Sequence, residues 1–124
     1  MLTAMNKVMV LGNLTRDPDV RKVPSGMLVG SFGLAINERF TTRKGEDRDE
    51  VCFVEIEVWG KQADACGKYL SKGAQAFVEG GLRYNQWEDR QTGQKRSRLS
   101  VRAERVQFLG ACPRENEDAE HSVA

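Results

Sequence analysis

Two aromatic residues, Phe53 and Trp59, lie in a segment of alternating side-chain character at positions 51–60. Side chains alternate between the faces of a strand, so both rings are predicted on one face, beside glutamates, with aliphatic side chains on the other. A flat ring on an accessible sheet face can stack on a nucleobase, because every base has a π-face. Coverage of the rings by a helix or by another subunit explains this segment equally well, so the neighbouring segments must decide.

A second group of aromatic residues, Tyr84 and Trp87, lies in the segment 83–98, which is predicted to form a hairpin with its turn near Gly93. The basic side chains around them are Arg83, Arg90, Lys95, Arg96 and Arg98. Aromatic rings interleaved with guanidinium groups on an extended arm are typical of surfaces that bind single strands of nucleic acid, since rings stack on bases and cations attract phosphates.

A third aromatic site is Phe40, which follows the predicted strand 27–37 and precedes a charged loop over residues 41–50. An isolated ring beside Arg39 and Arg43 favours stacking, and anchoring of the loop is the alternative. The strand before it carries small residues on one face. These would let a ligand approach the backbone, although light packing against solvent explains the same pattern.

Five predicted strands and one predicted helix position these candidates. The strands cover about residues 6–14, 27–37, 51–60, 74–84 and 99–108. An apolar stripe at spacings of three and four predicts the helix over 61–72. The pair Gly80-Gly81 and the change of alternation near Glu104-Arg105 predict bulges of the kind that small barrels need.

This element order predicts an all-β OB-fold, a five-stranded Greek-key barrel with one α-helix between strands 3 and 4 and a long hairpin between strands 4 and 5. We assign residues 1–110 to this domain and residues 111–124 to a short acidic, disordered tail. The charge is divided in a similar way, with a balance of +4 over residues 1–112 and −3 over residues 113–124. Both faces of the first strand are apolar, which predicts a second covering layer and hence an oligomer.

The residues that catalysis or metal binding would require are few. His121 is the only histidine, and Cys66 and Cys52 are predicted at core-facing positions of the helix and the third strand. The spacing of the three cysteines matches neither a disulfide framework nor a zinc site, which favours a reducing compartment. No apolar run is long enough to span a membrane. We therefore expect a cytoplasmic, non-enzymatic protein without metal or cofactor.

Several ordered motifs extend from about Asn6 to Gly110. They read Gly-Asn-Leu-Thr-Arg-Asp-Pro at 12–18, Pro-Ser-Gly at 24–26, Asn-Glu-Arg-Phe at 37–40, Trp-Gly-Lys at 59–61, Tyr-Leu-Ser-Lys-Gly at 69–73 and Val-Glu-Gly at 78–80, followed by Trp87. Together they resemble the bacterial single-stranded DNA-binding protein family. The resemblance implies an OB-fold subunit of a homotetramer that wraps single-stranded DNA in replication, recombination and repair without sequence preference.

The resemblance also implies roles for individual residues by position. Stacking is implied for Phe40, Phe53, Trp59 and Trp87. Phosphate contact is implied for Lys61, Lys72, Arg83 and Arg96, and the hairpin pattern adds Tyr84 and Arg98 to the site. Two features depart from the family pattern. Glu55 and Glu57 place carboxylates on the aromatic face, which would lower the affinity or make it more sensitive to salt, and Asn85 and Gln86 stand where basic residues are common.

The C-terminal residues depart further, since the chain ends at Glu-His-Ser-Val-Ala without the long linker and Pro-Phe ending through which family members recruit replication and repair enzymes. A truncated chain and a compact variant both fit this ending. The expectation is that this chain coats DNA without recruiting enzymes through its C-terminus. The alternative function is a primosomal-type OB-fold protein-binding module of the same family, which would have lost its stacking aromatics; the presence of Trp59 and Trp87 argues against it.

Overall fold

The computed structural model of the protein describes residues 4–110 and contains six strands and one helix. Their bounds are β1 (Val8–Leu14), β2 (Asp19–Lys22), β3 (Leu28–Thr41), β4 (Asp47–Trp59), α1 (Lys61–Tyr69), β5 (Gln75–Glu88) and β6 (Lys95–Gly110). The predicted tail 111–124 lies outside the described residues. Within residues 4–110, α1 has nine residues and falls far short of the length needed to cross a membrane.

The five long strands form a closed barrel. The sheet order is β1-β5-β6-β4-β3-β2, and an additional antiparallel pairing of β1 with β3 at Asn13↔Ala35 closes it. All pairings are antiparallel except that of β4 with β6, where Ile56 lies opposite Val101. With α1 between the third and fourth long strands, the prediction of an OB-fold is confirmed.

The short strand β2 was not predicted; it lies between the predicted strands 6–14 and 27–37. It pairs with one edge of β3 from Asp19↔Ser31 to Lys22↔Leu28. Four mostly exposed residues carry too little alternation to indicate a strand, so the extended backbone here depends on a partner that is distant in the sequence.

Strands β3 and β4 are longer than predicted, and the helix is shorter. The two strands remain paired to Thr41↔Asp47, so most of the predicted charged loop is a two-stranded arm with a turn at residues 42–46. The helix ends at Tyr69 because Leu70 adopts extended backbone angles, φ −102° and ψ 146°. The apolar stripe still predicted its buried side correctly, since Ala63 and Cys66 are fully buried.

The core lies inside the barrel and under α1. Phe32, Leu34, Ile56 and Val58 are fully buried, as the alternation of their strands predicted. The prediction that Cys52 faces the core is wrong. Cys52 lies on the same face of β4 as the core residues Ile56 and Val58, but in the part of the strand that extends beyond the barrel, where its side chain is exposed. Alternation of side chains identifies which face of a strand a residue lies on, but it does not show how much of that face is covered by other residues.

A bulge interrupts the pairing of β5 with β6. Glu79 lies opposite Arg105 and Gly80 opposite Ala103, so Glu104 is an additional residue in β6 and the prediction of a bulge at this place is confirmed. The strands approach so closely that a Cβ atom at Gly80 would overlap the carbonyl oxygen of Arg102. A glycine is therefore required for the bend.

The outer face of β1 carries two exposed apolar side chains, Met9 and Leu11, of which 63% and 45% is accessible. The opposite face packs against the core through Val8 and Val10. Strand β1 is thus covered on one side only within the single chain. Adjacent exposed apolar side chains of this kind are typical of a contact surface.

Candidate nucleic-acid interface

The outer face of β4 presents the aromatic residues predicted from the alternation. Phe53 is 72% exposed, and Trp59 is partly buried at the end of the strand. On the neighbouring strand β3, Ala35 lies opposite Phe53 and Gly33 opposite Glu55. The residue beside Phe53 on β3 is therefore the small Ala35, which fits the high exposure of the ring.

An ion pair crosses the middle of this face. Arg16 donates two hydrogen bonds to Glu55, from Nη1 to Oε1 at 3.3 Å and from Nη2 to Oε2 at 2.8 Å. A Cβ atom on Gly33 would lie 2.5 Å from Oγ1 of Thr15 and 3.1 Å from Nη1 of Arg16. The space above Gly33 is thus filled by the protein itself, and hydrogen bonding to Glu55 raises the pKa of the Arg16 guanidinium.

A second group of contacts fixes Trp59. Its indole Nε1 donates a hydrogen bond of 2.6 Å to Oε1 of Glu57, which also accepts two hydrogen bonds of 3.1 Å from Arg102. The Arg102 guanidinium carbon lies 5.2 Å from the centre of the Trp59 ring, within cation–π distance. One carboxylate thus holds both the edge of the ring and the cation beside it.

A hollow of about 300 Å³ joins this face to the hairpin arm formed by β5 and β6. Its lining includes Phe53, Glu55, Arg16 and Arg98. Farther along the arm, the Arg98 guanidinium carbon lies 5.8 Å from the centre of the Trp87 ring, which is 44% exposed. Arg98 therefore shares the hollow with Phe53 and lies beside the Trp87 ring, and positively charged groups next to exposed rings suit a ligand with alternating planar and anionic parts.

The register of β5 and β6 places further predicted residues on the same arm. Trp87 lies opposite Arg96, and Arg83 lies four residues before Trp87, on the same face of β5. Arg96 forms an ion pair of 3.1 Å with Asp89. Hydrogen bonds from the backbone N–H of Gln91, then from that of Thr92 and from the Arg96 side chain, lower the pKa of Asp89.

The turn of the arm follows the prediction. Asp89 N–H donates to the carbonyl oxygen of Gln94 at 2.8 Å, and Gly93 has the positive φ of 72° that the turn requires. The turn therefore holds the two strands of the arm in register where Arg96 and Trp87 face each other.

Four of the predicted residues lie apart from this path. Phe40 and Tyr84 are 43% and 63% exposed, but by alternation they belong to the opposite faces of β3 and β5. Lys61, at the start of α1, lines a separate hollow with Met27 and Asp64. Lys72 follows the helix, and its backbone N–H donates to Asp17 at 2.8 Å.

Sequence reasoning did not identify Arg102 or Arg16 as part of the site. Arg102 reaches Glu57 because β4 and β6 pair in parallel at Glu57↔Arg102, a contact over 45 residues of sequence. Arg16 reaches Glu55 over 39 residues. An acidic residue beside each aromatic was the available signal, because a buried or half-buried carboxylate needs a cationic partner.

Residues 4–110 contain no cluster of three or more His, Cys, Asp or Glu side chains that could hold a metal ion. Of the two cysteines in this range, Cys66 is buried, and burial raises the pKa of its thiol to about 11. At neutral pH this thiol is therefore protonated and a poor nucleophile.

Comparison with known proteins is consistent with this geometry. A protein of Helicobacter hepaticus named single-stranded DNA-binding protein is 42% identical over 113 residues, which are 91% of this chain and 66% of that protein. One of the same name from Wolinella succinogenes is 46% identical over 84% of this chain and 64% of its own length. The chain thus spans slightly less than two thirds of these relatives.

A solved structure described as a Plasmodium falciparum SSB complex with single-stranded DNA superposes with a TM-score of 0.80 at 26% identity, covering 89% of this chain and 99% of the other. The model of the single-strand binding protein family matches residues 5–109. This range contains the helix, all the aromatic candidates and every strand except the last residue of β6, Gly110. The chain belongs to the single-strand binding protein family.

Proposed function

We propose that this protein binds single-stranded DNA without sequence preference, by stacking bases on Phe53, Trp59 and Trp87 and attracting phosphates to the basic hairpin arm. The observation that carries the proposal is the position of Arg98, which lines one hollow with Phe53 and lies 5.8 Å from the Trp87 ring. Each stacked base contributes roughly 1–3 kcal/mol in proteins of this kind, whichever base it is. Duplex DNA hides these base faces and offers phosphates alone.

The remaining candidate residues extend the path in this proposal. Arg83 and Arg96 contact phosphates along the arm; within residues 4–110 Arg96 donates to Asp89 through Nε alone, so its two terminal nitrogens can reach a phosphate while the ion pair is kept. A strand that leaves the outer face and passes around the barrel reaches the other four candidates, which are Phe40, Tyr84, Lys61 and Lys72. Their exposure supports this role, since none is buried in the core.

The function is tested by titrating the protein with a long oligo-dT at two salt concentrations while following tryptophan fluorescence. We expect strong quenching, because stacking on Trp59 and Trp87 changes the surroundings of both indoles, and an affinity that falls as salt rises. Duplex DNA of equal length is the control and should bind weakly. Equal binding of the two DNAs, or no quenching by oligo-dT, would contradict stacking and favour the protein-binding module.

We further propose a homotetramer in which the outer face of β1 is one contact surface. Leu11→Glu should lower the mass of the assembly measured by light scattering, because a carboxylate would be desolvated in the contact. Val51→Glu is a matched control: Val51 and Leu11 are both 45% exposed, but Val51 lies on the β3–β4 arm. An assembly equally affected by both substitutions would argue against a contact at β1.

The biological setting that we propose follows from the same binding activity. Single strands are exposed in DNA replication, recombination and repair, and a protein that covers them acts in the cytoplasm of a bacterial cell. Proteins of these processes are the candidate partners. Whether residues 111–124 recruit any of them is tested by measuring binding of that segment, as a peptide, to a helicase or exonuclease; we expect no tight complex.

A further inference from the structure

The two carboxylates on the aromatic face of β4 each hold one arginine. Glu55 is paired with Arg16 at 2.8 Å and Glu57 with Arg102 at 3.1 Å. Both carboxylates are more enclosed than their partners, with 24% and 26% of the side chain accessible. The face that carries Phe53 and Trp59 therefore contains two cations and two anions in fixed pairs.

Fixed pairing changes what these arginines can do for a polyanion. Binding of DNA is favoured by release of counterions from phosphates as free cationic side chains replace them. An arginine already neutralised by a carboxylate adds no net charge to the surface, and a phosphate must displace the carboxylate to reach it. Arg16 and Arg102 would thus contribute little to phosphate binding in the native protein.

The hairpin arm has the opposite character. Residues 83–98 contain five basic residues and two acidic ones. Among the described residues 4–110, Arg98 has no carboxylate within ion-pair distance, and it lies beside the Trp87 ring. The surface is thus divided into a neutral aromatic face on β4 and a cationic arm formed by β5 and β6.

We propose that Glu55 and Glu57 are specificity-determining residues that keep phosphates off the aromatic face by neutralising Arg16 and Arg102. Bases are then directed to Phe53 and Trp59, and the phosphate charge is carried by the arm. This inference rests on the proposed function. The sequence alone led to the expectation that the two glutamates lower the affinity for DNA or make it more sensitive to salt. The inference differs in the salt dependence, because each glutamate neutralises an arginine that the sequence does not reveal as its partner.

The test compares the salt dependence of binding for the protein and for Glu55→Gln, with two probes. One probe is oligo-dT, and the other is an abasic oligonucleotide of the same length, which has phosphates but no bases. Freeing Arg16 should steepen the slope of log affinity against log salt by about 0.7, the value for one additional phosphate contact on a single strand. Over a tenfold range of salt, the affinity ratio of the two proteins should change about 5-fold.

Glu50→Gln is the matched control. It removes the same charge from β4, but Glu50 lies on the other face, opposite Glu38, and no arginine is freed. Its slope should equal that of the unmodified protein. In the double variant Arg16→Gln/Glu55→Gln the additional slope should disappear, since the two residues act as a pair.

The outcomes separate this inference from the proposed function. If oligo-dT binds with quenching but Glu55→Gln leaves the slope unchanged, or the additional slope persists without Arg16, the inference is overturned and the function stands. If oligo-dT binds no better than duplex, the function is overturned. In that second case, neutralisation of Arg16 by Glu55 would still be supported if Glu55→Gln bound the abasic probe more tightly and the double variant Arg16→Gln/Glu55→Gln did not.

Discussion

Trp87→Ala should lower the affinity for oligo-dT about 5- to 150-fold, which corresponds to the roughly 1–3 kcal/mol that one stacked base contributes. The Trp87 ring is 44% exposed, lies on the hairpin arm outside the core, and has Arg98 at 5.8 Å. Its removal therefore deletes a stacking surface and a cation–π contact without opening a cavity in the barrel. Fluorescence anisotropy of labelled oligo-dT at fixed salt measures the change.

Two companion variants make this result specific. Trp87→Phe retains a ring and should recover most of the affinity. Tyr69→Ala removes an exposed ring from the end of α1, where Tyr69 pairs with Phe108 at 6.2 Å, and should leave the affinity unchanged. The salt slope of Trp87→Ala should remain that of the unmodified protein, because no charge is removed. An unchanged affinity together with an unchanged melting temperature would exclude Trp87 from DNA binding.

The parts of the fold that could be predicted are those with strong local signals. Alternation over residues 51–60 identified the core side of β4, and Ile56 and Val58 are indeed fully buried. Gly93 marked the turn of the arm, because its positive φ disfavours other residues. The change of phase at Glu104 marked the bulge, because alternation must shift where one residue is unpaired.

The parts that could not be predicted depend on contacts between distant segments. Strand β2 exists because β3 offers it an edge, and Cys52 is exposed because the barrel ends before the strand does. The partners of Glu55 and Glu57 were unknown for the same reason. Their carboxylates were expected to lower the affinity for DNA or to make it more sensitive to salt, whereas the closed barrel brings Arg16 and Arg102 to them across the sheet.

The candidate site shows the same division at the level of single residues. Alternation predicted that Phe53 and Trp59 share a face, and the structure places both on the outer face of β4. Phe40 and Tyr84 were grouped with these residues by residue type and by their basic neighbours, but alternation along β3 and β5 places both on the opposite faces of their strands. The contribution of Phe40 and Tyr84 to DNA binding can be measured with the same oligo-dT affinity assay as that of Trp87.

Gly80→Ala should lower the free energy of unfolding by about 1–3 kcal/mol or more, the usual cost of adding a methyl group where packing leaves no space. The added Cβ atom would overlap the backbone carbonyl oxygen of Arg102, which cannot rotate away as a side chain can. The bulge must then open, and Arg102 must shift relative to Glu57 and the Trp59 ring. Denaturation by urea measures the loss of stability.

Gly81→Ala is the matched control for this effect. The atoms nearest to a Cβ atom at Gly81 would be those of the Asn6 side chain, at 3.4 Å, so this position tests the same change of residue type without the overlap. We expect Gly81→Ala to be about as stable as the unmodified protein. In a Trp87→Phe background, where Trp59 is the only tryptophan, Gly80→Ala should also increase the quenching of Trp59 fluorescence by acrylamide. Equal stability of the two variants would mean that β5 and β6 can separate at little cost in free energy. Arg102 would then not be held rigidly beside Trp59.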